Sequence, residues 1–287
     1  MSPAMQSVVD DWSIPVWFSL ASVVTSLVYL RGWIILRRTR PEQFNGWRLL
    51  SFIAGIASMW GALGSPMDAF ADVLLSAHMV EHLILMTVVP PLVVLGLPVV
   101  PLLRGLPRIL LKNAAVPLIR FEPLRRLART LVRLKVAWLL MNIAFLSWHV
   151  PAAYDFALEH EGWHDFEHIC FLFTSLLFWW CLIRPWPAAP ARHRWGILLY
   201  LIGADLVNTA LSAFLAFCNR PVYPYYIDKP NPFLIAPLPD QVLGAVIMWV
   251  IGSLAFLIPA AIITFNLLQL CPFSPVIPAR TREAASD

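Results

Sequence analysis

Charged side chains are scarce in this sequence. Asp, Glu, Lys and Arg together make up 13% of its 287 residues, while hydrophobic residues make up 59%. Such a chain has too little polar surface to coat a water-soluble globule of this length, which excludes a soluble globular fold. Cysteine is scarce as well, and the four cysteines form no Cys-x-x-Cys pair. We interpret them as buried small hydrophobic residues, with Cys218 alone placed to join a metal site.

The sequence contains several long runs of apolar residues. A helix of about 20 apolar residues crosses the roughly 30 Å of hydrocarbon in a bilayer. We predict an all-α polytopic membrane bundle of seven transmembrane helices, which forms a single membrane domain over residues 1–287. The predicted spans lie at about residues 15–36, 48–64, 76–102, 136–150, 164–184, 195–218 and 241–268.

Basic residues concentrate in alternate connections, most densely at about residues 104–135, which we expect to form one or two short surface helices. Because Lys and Arg are retained on the cytoplasmic side, the N-terminus is predicted outside and the C-terminus in the cytoplasm. The same sorting explains the net charge of +4, so membrane lipids and not nucleic acid are the expected contacts. The proline-rich outer connection at 219–240 is predicted to lack regular helix.

A five-residue pattern, His-x-x-Glu-His, occurs twice, each time at the start of an apolar run. The copies are His78-Met79-Val80-Glu81-His82 and His164-Asp165-Phe166-Glu167-His168. On a helix, residues four apart lie on one face, one turn apart. A weak repeat surrounds the copies and suggests that two helix pairs are related in parallel, which sets both copies at the same depth near the outer face. We therefore predict that the third and fifth spans adjoin with their histidine pairs facing each other.

Facing histidine pairs would supply the donors of a metal site. Neutral imidazole is a common metal ligand, and a carboxylate or carbonyl often holds its second nitrogen. Nearby methionines favour Cu(I), because thioether and imidazole together suit that ion; iron and zinc are alternatives. The predicted metal-site residues are His78, His82, His164, His168, His149, Met79, Glu81 and Glu167, with Met59 and Met67 near the same face.

Other interpretations of these residues stay open. The histidines could be structural hydrogen-bonding groups between helices, or two of them could ligate a haem axially from opposing helices. The same pattern also marks one class of zinc protease, in which the glutamate is a general base. Two copies at a membrane edge, without a substrate cleft, argue against proteolysis, and we predict no enzymatic activity.

Two aspartates near the apolar runs have less certain roles. Asp205, mid-span in the sixth helix, must face the bundle, where it forms either a hydrogen bond between helices or part of an ion path. Asp240 begins the seventh predicted span and is expected to cap that helix, with lining of the site as the alternative.

Three stretches of the sequence resemble the multi-spanning CtaG-type cytochrome c oxidase assembly factors. The resemblance spans about residues 48–255 and rests on Ala77-His78-Met79-x-x-His82-Leu83 with Pro90-Pro91-Leu92, on Trp148-His149-x-Pro151-x-x-Tyr154-Asp155-x-Ala157-Leu158 with His164, Glu167 and His168, and on Asp240-Gln241-x-x-Gly244-x-x-x-Met248-Trp249. It implies a role in maturing haem-copper oxidases and copper handling at the outer membrane face, but it does not identify ligands.

We therefore predict a multi-pass protein of the bacterial inner (plasma) membrane that assists assembly of a haem-copper terminal oxidase. In this interpretation it acts as a copper-binding chaperone, with Cu(I) held near the outer membrane face and an oxidase subunit as partner. A haem-binding redox protein and a metal-free assembly scaffold are the alternatives.

Overall fold

A computed structural model describes residue 6 and residues 12–183, 194–229 and 231–269. Within this part of the chain the regular structure is helical and no strand occurs. Short helical turns also occupy residues 108–120 and 224–226. The helices, in chain order, are α1 Val16–Thr39, α2 Gly46–Leu63, α3 Met67–Ala71, α4 Leu75–Leu95, α5 Val99–Gly105, α6 Glu122–Leu131, α7 Leu134–Trp148, α8 Pro151–Glu159, α9 Glu161–Ile183, α10 Arg194–Phe217 and α11 Pro237–Gln269.

Five of these helices, α1, α4, α9, α10 and α11, are long and apolar enough to cross a membrane. A sixth span is reached if α6 and α7, which meet at a 74° bend, are taken together. The all-helical class is thus confirmed, with five to six candidate spans where seven are predicted. Helix α2 covers the predicted second span but has only 18 residues, about 27 Å at 1.5 Å per residue.

The predicted third span, 76–102, is wrong at its end, because α4 ends at Leu95. Leu97 has a positive φ of 53°, a conformation that a helix cannot continue through. Pro98 directly precedes the next helix, since proline suits the start of a helix and not its interior. The residues beyond it form the separate short helix α5.

Helix α4 lies at the centre of the bundle. It packs against α2, α9 and α11, while α7 packs on α9 and α10 pairs with α11. Over half of the residues in the apolar stretch of α4 are buried inside the protein. Helix α1 packs against α5 and α2. The two helices that carry the repeated pattern, α4 and α9, are therefore neighbours, as the sequence predicts.

Asp240 caps α4 and not its own helix, so that prediction is wrong. Its carboxylate accepts hydrogen bonds from Leu75 N at 2.6 Å and from Ser76 N at 3.3 Å, and Ser76 Oγ donates to it as well. These amides belong to the first turn of α4, where backbone N–H groups lack partners within the helix. Helix α11 instead begins at Pro237, and prolines in a first helical turn cost no hydrogen bond.

Candidate metal centre

The two histidine pairs meet between α4 and α9. The rings of His78 and His82 lie 4.1 Å apart, and those of His164 and His168 lie 4.3 Å apart. Across the helix interface, His78 stacks near His164 at 5.1 Å and His82 lies 5.4 Å from His168. Helical periodicity places each pair on one face, and the packing of α4 on α9 turns the two faces toward each other. Four imidazoles consequently occupy one small volume.

His149 joins this group from a third helix. It directly follows α7, and its ring lies 6.5 Å from that of His82. Its Nδ1 is 2.7 Å from the Phe145 carbonyl, which makes Nδ1 the protonated nitrogen and leaves Nε2 as the nitrogen with a free lone pair. His149 is thus oriented as a ligand-type histidine on the side of His82.

The two glutamates of the pattern cross between the helices. Glu167 Oε1 of α9 lies 3.7 Å from His82 Nε2 of α4, and Glu81 Oε1 of α4 lies 3.9 Å from His168 Nε2 of α9. Both glutamate side chains are fully buried. Each carboxylate therefore faces a histidine of the opposite helix, in a position to orient that imidazole or to share an ion with it.

Most of the polar atoms in this cluster have no hydrogen-bond partner among the described residues. They include both ring nitrogens of His78 and His82, Nε2 of His149, His164 and His168, and all four oxygens of Glu81 and Glu167. A buried donor or acceptor without a partner costs about 1–3 kcal/mol. Such a concentration is unusual in a folded protein and is accounted for if a bound cation occupies the lone pairs. The residues present therefore fit a metal ion.

Two sets of donors can reach a single ion. Ligand atoms of His78, His82 and His168 lie within 4.8 Å of one another, and so do those of His78, His164 and Glu167. His78 belongs to both sets. In the part of the chain that the structure describes, these are the only groups of three such donors, and neither includes Cys218. Cys271 lies outside the described residues.

A break in the helical hydrogen-bond pattern begins two residues after His82. Residues Ile84–Val88 form a π-helical turn, which interrupts the regular ladder of α4. The Met86 carbonyl in this turn accepts a hydrogen bond from Trp179 Nε1 of α9 at 2.9 Å. Trp179 thereby ties the two histidine-bearing helices together about one helical turn below His82.

Three tyrosines cover part of the histidine cluster. The ring of Tyr154 lies 5.2 Å from that of His78 and 4.1 Å from that of Tyr223. Tyr223 Oη donates to the His149 carbonyl, and Tyr226 Oη donates to the Ala71 carbonyl. Tyr223 and Tyr226 of the proline-rich connection thus form a buried lid over the histidines.

Asp68 of α3 approaches the cluster from the side. It lies close enough to Glu81 for the two carboxyl groups to interact electrostatically. Burial, together with the negative charge of Asp72, raises the pKa of Asp68 to about 6. No sequence pattern identified Asp68 as a site residue.

Some predicted site residues lie away from the imidazoles. Met79 is buried in the hydrophobic core with its side chain against Gly244 of α11. Met59, by contrast, lines a cavity together with His164 and His168. Asp205 is half-buried, and its Oδ1 has no hydrogen-bond partner among the described residues.

The described residues define an α-helical protein with five to six candidate membrane-spanning helices and a buried histidine–glutamate centre. Residues 27–269 match the family described as cytochrome c oxidase caa3 assembly factor. Because the match covers most of the sequence, the chain belongs to this family, which confirms the resemblance found in the sequence.

The chain is also similar to uncharacterized mycobacterial proteins. It is 27% identical over 259 residues to proteins of Mycobacterium bovis and Mycobacterium tuberculosis, which covers 88% of this chain and 38% of each relative. A Mycobacterium leprae protein is 24% identical over 253 residues, 83% of this chain and 36% of that protein. The chain thus spans less than two fifths of these relatives' length. No solved structure matches it.

Proposed function

We propose that the protein binds Cu(I) at the histidine centre, near the outer face of the bacterial inner membrane, and assists delivery of copper to a haem-copper oxidase. Its partner would be an oxidase subunit. The family description of an assembly factor supports this role and suggests a non-catalytic one. The observation that carries the proposal is the meeting of the two histidine pairs, in which Nε2 of all four rings and Nδ1 of His78 and His82 are buried without a hydrogen-bond partner among the described residues.

Copper is favoured over harder ions by the donors. Imidazole nitrogens dominate both three-donor sets, and Glu167 supplies the single oxygen. Cu(I) accepts two or three soft or intermediate ligands, whereas Mg²⁺ and Ca²⁺ require oxygen. We propose His78, His82, His164, His168 and His149 as ligands, with Glu81 and Glu167 orienting imidazoles or sharing the ion. Met59, which lines the adjoining cavity, is proposed as a thioether contact during copper entry, whereas Met79 packs against Gly244 and is left out of the proposed ligands.

The compact packing of the rings favours an ion over a haem. In five of the six pairs that the four imidazoles of α4 and α9 form, the ring centroids lie 4.1–6.2 Å apart. Axial haem ligation needs two histidines separated by the plane of a macrocycle. Because the rings of His78 and His164 stack on each other, there is no room for the plane of a haem between them. A visible spectrum of the purified protein tests this point, since a Soret band would support haem.

The orientation of the protein in the membrane is also part of the proposal. The histidine centre lies near the N-terminal ends of α4 and α9, which the charge pattern of the connections assigns to the outer side. A seven-span topology with an external N-terminus and a cytoplasmic C-terminus requires α2 and α7 to span as well. An outer site agrees with the copper handling at the outer membrane face that the family resemblance implies.

The function is tested by the copper content of the oxidase in membranes from cells that carry variant protein. The double variant His78→Ala plus His164→Ala disables both donor sets, whereas His160→Ala removes an exposed histidine near the same end of α9. We expect the double variant to leave the oxidase copper-deficient and its haem content intact, and His160→Ala to behave as the wild type.

Normal copper content in the oxidase with the double variant, while deletion of the whole protein still prevents assembly, would instead support a metal-free scaffold. Immunoblotting of the membranes establishes that each variant is present at the wild-type level. A folded double variant with a fully metallated oxidase would contradict copper delivery by this centre.

A further inference from the structure

We propose that an acidic cavity beside the histidine centre is the vestibule through which the metal cation reaches it. The inference rests on the proposed function, because it names the route to that same site. The cavity has a volume of about 990 Å³ and is bounded by the first turn of α1, by α3 and by the start of α9. It adjoins the centre, because His164 and His168 line it whereas His78, His82 and Glu167 do not.

The charge of the cavity wall is strongly negative. The acidic side chains that line it are Asp68, Asp72, Glu159, Glu161 and Asp165. Among the described residues, Lys229 is the single Lys or Arg on the wall, and its ammonium lies 3.7 Å from the Tyr225 ring centre. Acid side chains in a cleft with low-dielectric walls focus the field and raise the local concentration of cations.

Two histidines with buried ligand atoms line the acidic cavity. His168 lines the cavity, yet its side chain is only 6% exposed. Its Nε2 has no hydrogen-bond partner among the described residues, and the same holds for Nε2 of His164 on the same wall. An ion in the cavity therefore meets the rings of two histidines, His164 and His168, which belong to the two donor sets of the centre.

The two sets also give an order of transfer. His164 lies one helical turn nearer than His168 to the beginning of α9, and Asp72 lies close enough to His164 for their charges to interact. His164 belongs to the donor set that also holds His78 and Glu167, and His78 belongs as well to the deeper set with His82 and His168. A cation attracted by Asp72 would bind His164 first and pass by ligand exchange, through His78, to the deeper set.

Stopped-flow mixing of the purified full-length protein with Ag⁺ tests the vestibule. Ag⁺ has the charge of Cu(I) and is stable in air, and its binding can be followed by the intrinsic fluorescence of the protein. The variant Asp72→Asn plus Glu161→Gln removes two wall charges without changing a histidine. Glu42→Gln is the matched control, because Glu42 is exposed and follows the far end of α1. A further variant, Lys229→Gln, removes the positive charge.

At about 10 mM ionic strength, where the screening length is about 30 Å, we expect the double variant to bind Ag⁺ about tenfold more slowly. Lys229→Gln should bind it about two- to threefold faster, and Glu42→Gln at the wild-type rate. The difference should shrink at about 150 mM, where the screening length is about 8 Å. The amount of Ag⁺ bound at saturation should be the same in all proteins.

Three results would overturn the inference. An unchanged association rate in the double variant, with normal binding at saturation, removes the vestibule and leaves the metal centre intact. A loss of bound Ag⁺ at saturation makes the carboxylates ligands and not guides. Wild-type protein that binds no Ag⁺ and no Cu(I) contradicts the proposed function and the vestibule together.

Discussion

The cap that Asp240 places on α4 holds the first turn of the helix that carries His78. Replacement by alanine leaves Leu75 N and Ser76 N without their acceptor and also frees the Ser76 hydroxyl. Loss of a helix cap costs about 1 kcal/mol, and hydrogen bonds to a charged group contribute about 1.5–3 kcal/mol. Because Asp240 is buried, we predict that Asp240→Ala lowers the free energy of unfolding by about 2–4 kcal/mol.

Thermal unfolding of the purified protein in detergent measures this loss, which we expect as a fall in Tm of roughly 4–10 °C. Asp228→Ala is the control, since Asp228 is exposed and surface substitutions change stability by about 0.5 kcal/mol or less. The double variant Asp240→Ala plus Ser76→Ala should cost less than the sum of the two single variants, because the residues share a hydrogen bond. Equal Tm values for Asp240→Ala and Asp228→Ala would refute the capping argument.

Three further changes in stability follow from the packing. Gly32→Ala should destabilise the protein by about 1–3 kcal/mol, because its Cβ would stand 1.8 Å from a carbonyl oxygen of α5; Gly61→Ala, with nothing within 4 Å, should be neutral or stabilising. Trp179→Phe should cost about 1–3 kcal/mol, since it leaves the buried Met86 carbonyl unpaired. Tyr29→Phe should cost about 1 kcal/mol through its lost hydrogen bond and leave metal binding unchanged. Thermal unfolding measures all three, and a Gly32→Ala protein as stable as Gly61→Ala would contradict the close helix contact.

The sequence predicted the pairing of the centre because its signal is local. A spacing of four residues fixes which side chains share a helix face, and the repeated pattern indicates two such faces at equal depth. The meeting of His78 with His164 and of His82 with His168 follows from that spacing once α4 and α9 pack together.

The sequence could not predict contacts that depend on distant segments or on a single torsion angle. Asp240 caps a helix whose first residue lies 165 positions earlier, so the local rule pointed to the wrong helix. The end of α4 depends on the positive φ of Leu97, which apolar composition does not indicate. Met79 shares the pattern with His78 but is rotated by about 100° from it on the helix, which turns its side chain toward Gly244.

Equilibrium binding of Cu(I) to the purified protein under reducing conditions, in competition with a Cu(I) chelator, tests the central claim most directly. The account predicts tight binding by the wild type and by His160→Ala. It predicts at least about 100-fold weaker binding by His78→Ala, because His78 belongs to both donor sets and residues that only orient metal ligands already contribute about 10–100-fold. Wild-type protein without Cu(I) affinity, or a His78→Ala protein that binds as tightly as His160→Ala, would contradict it.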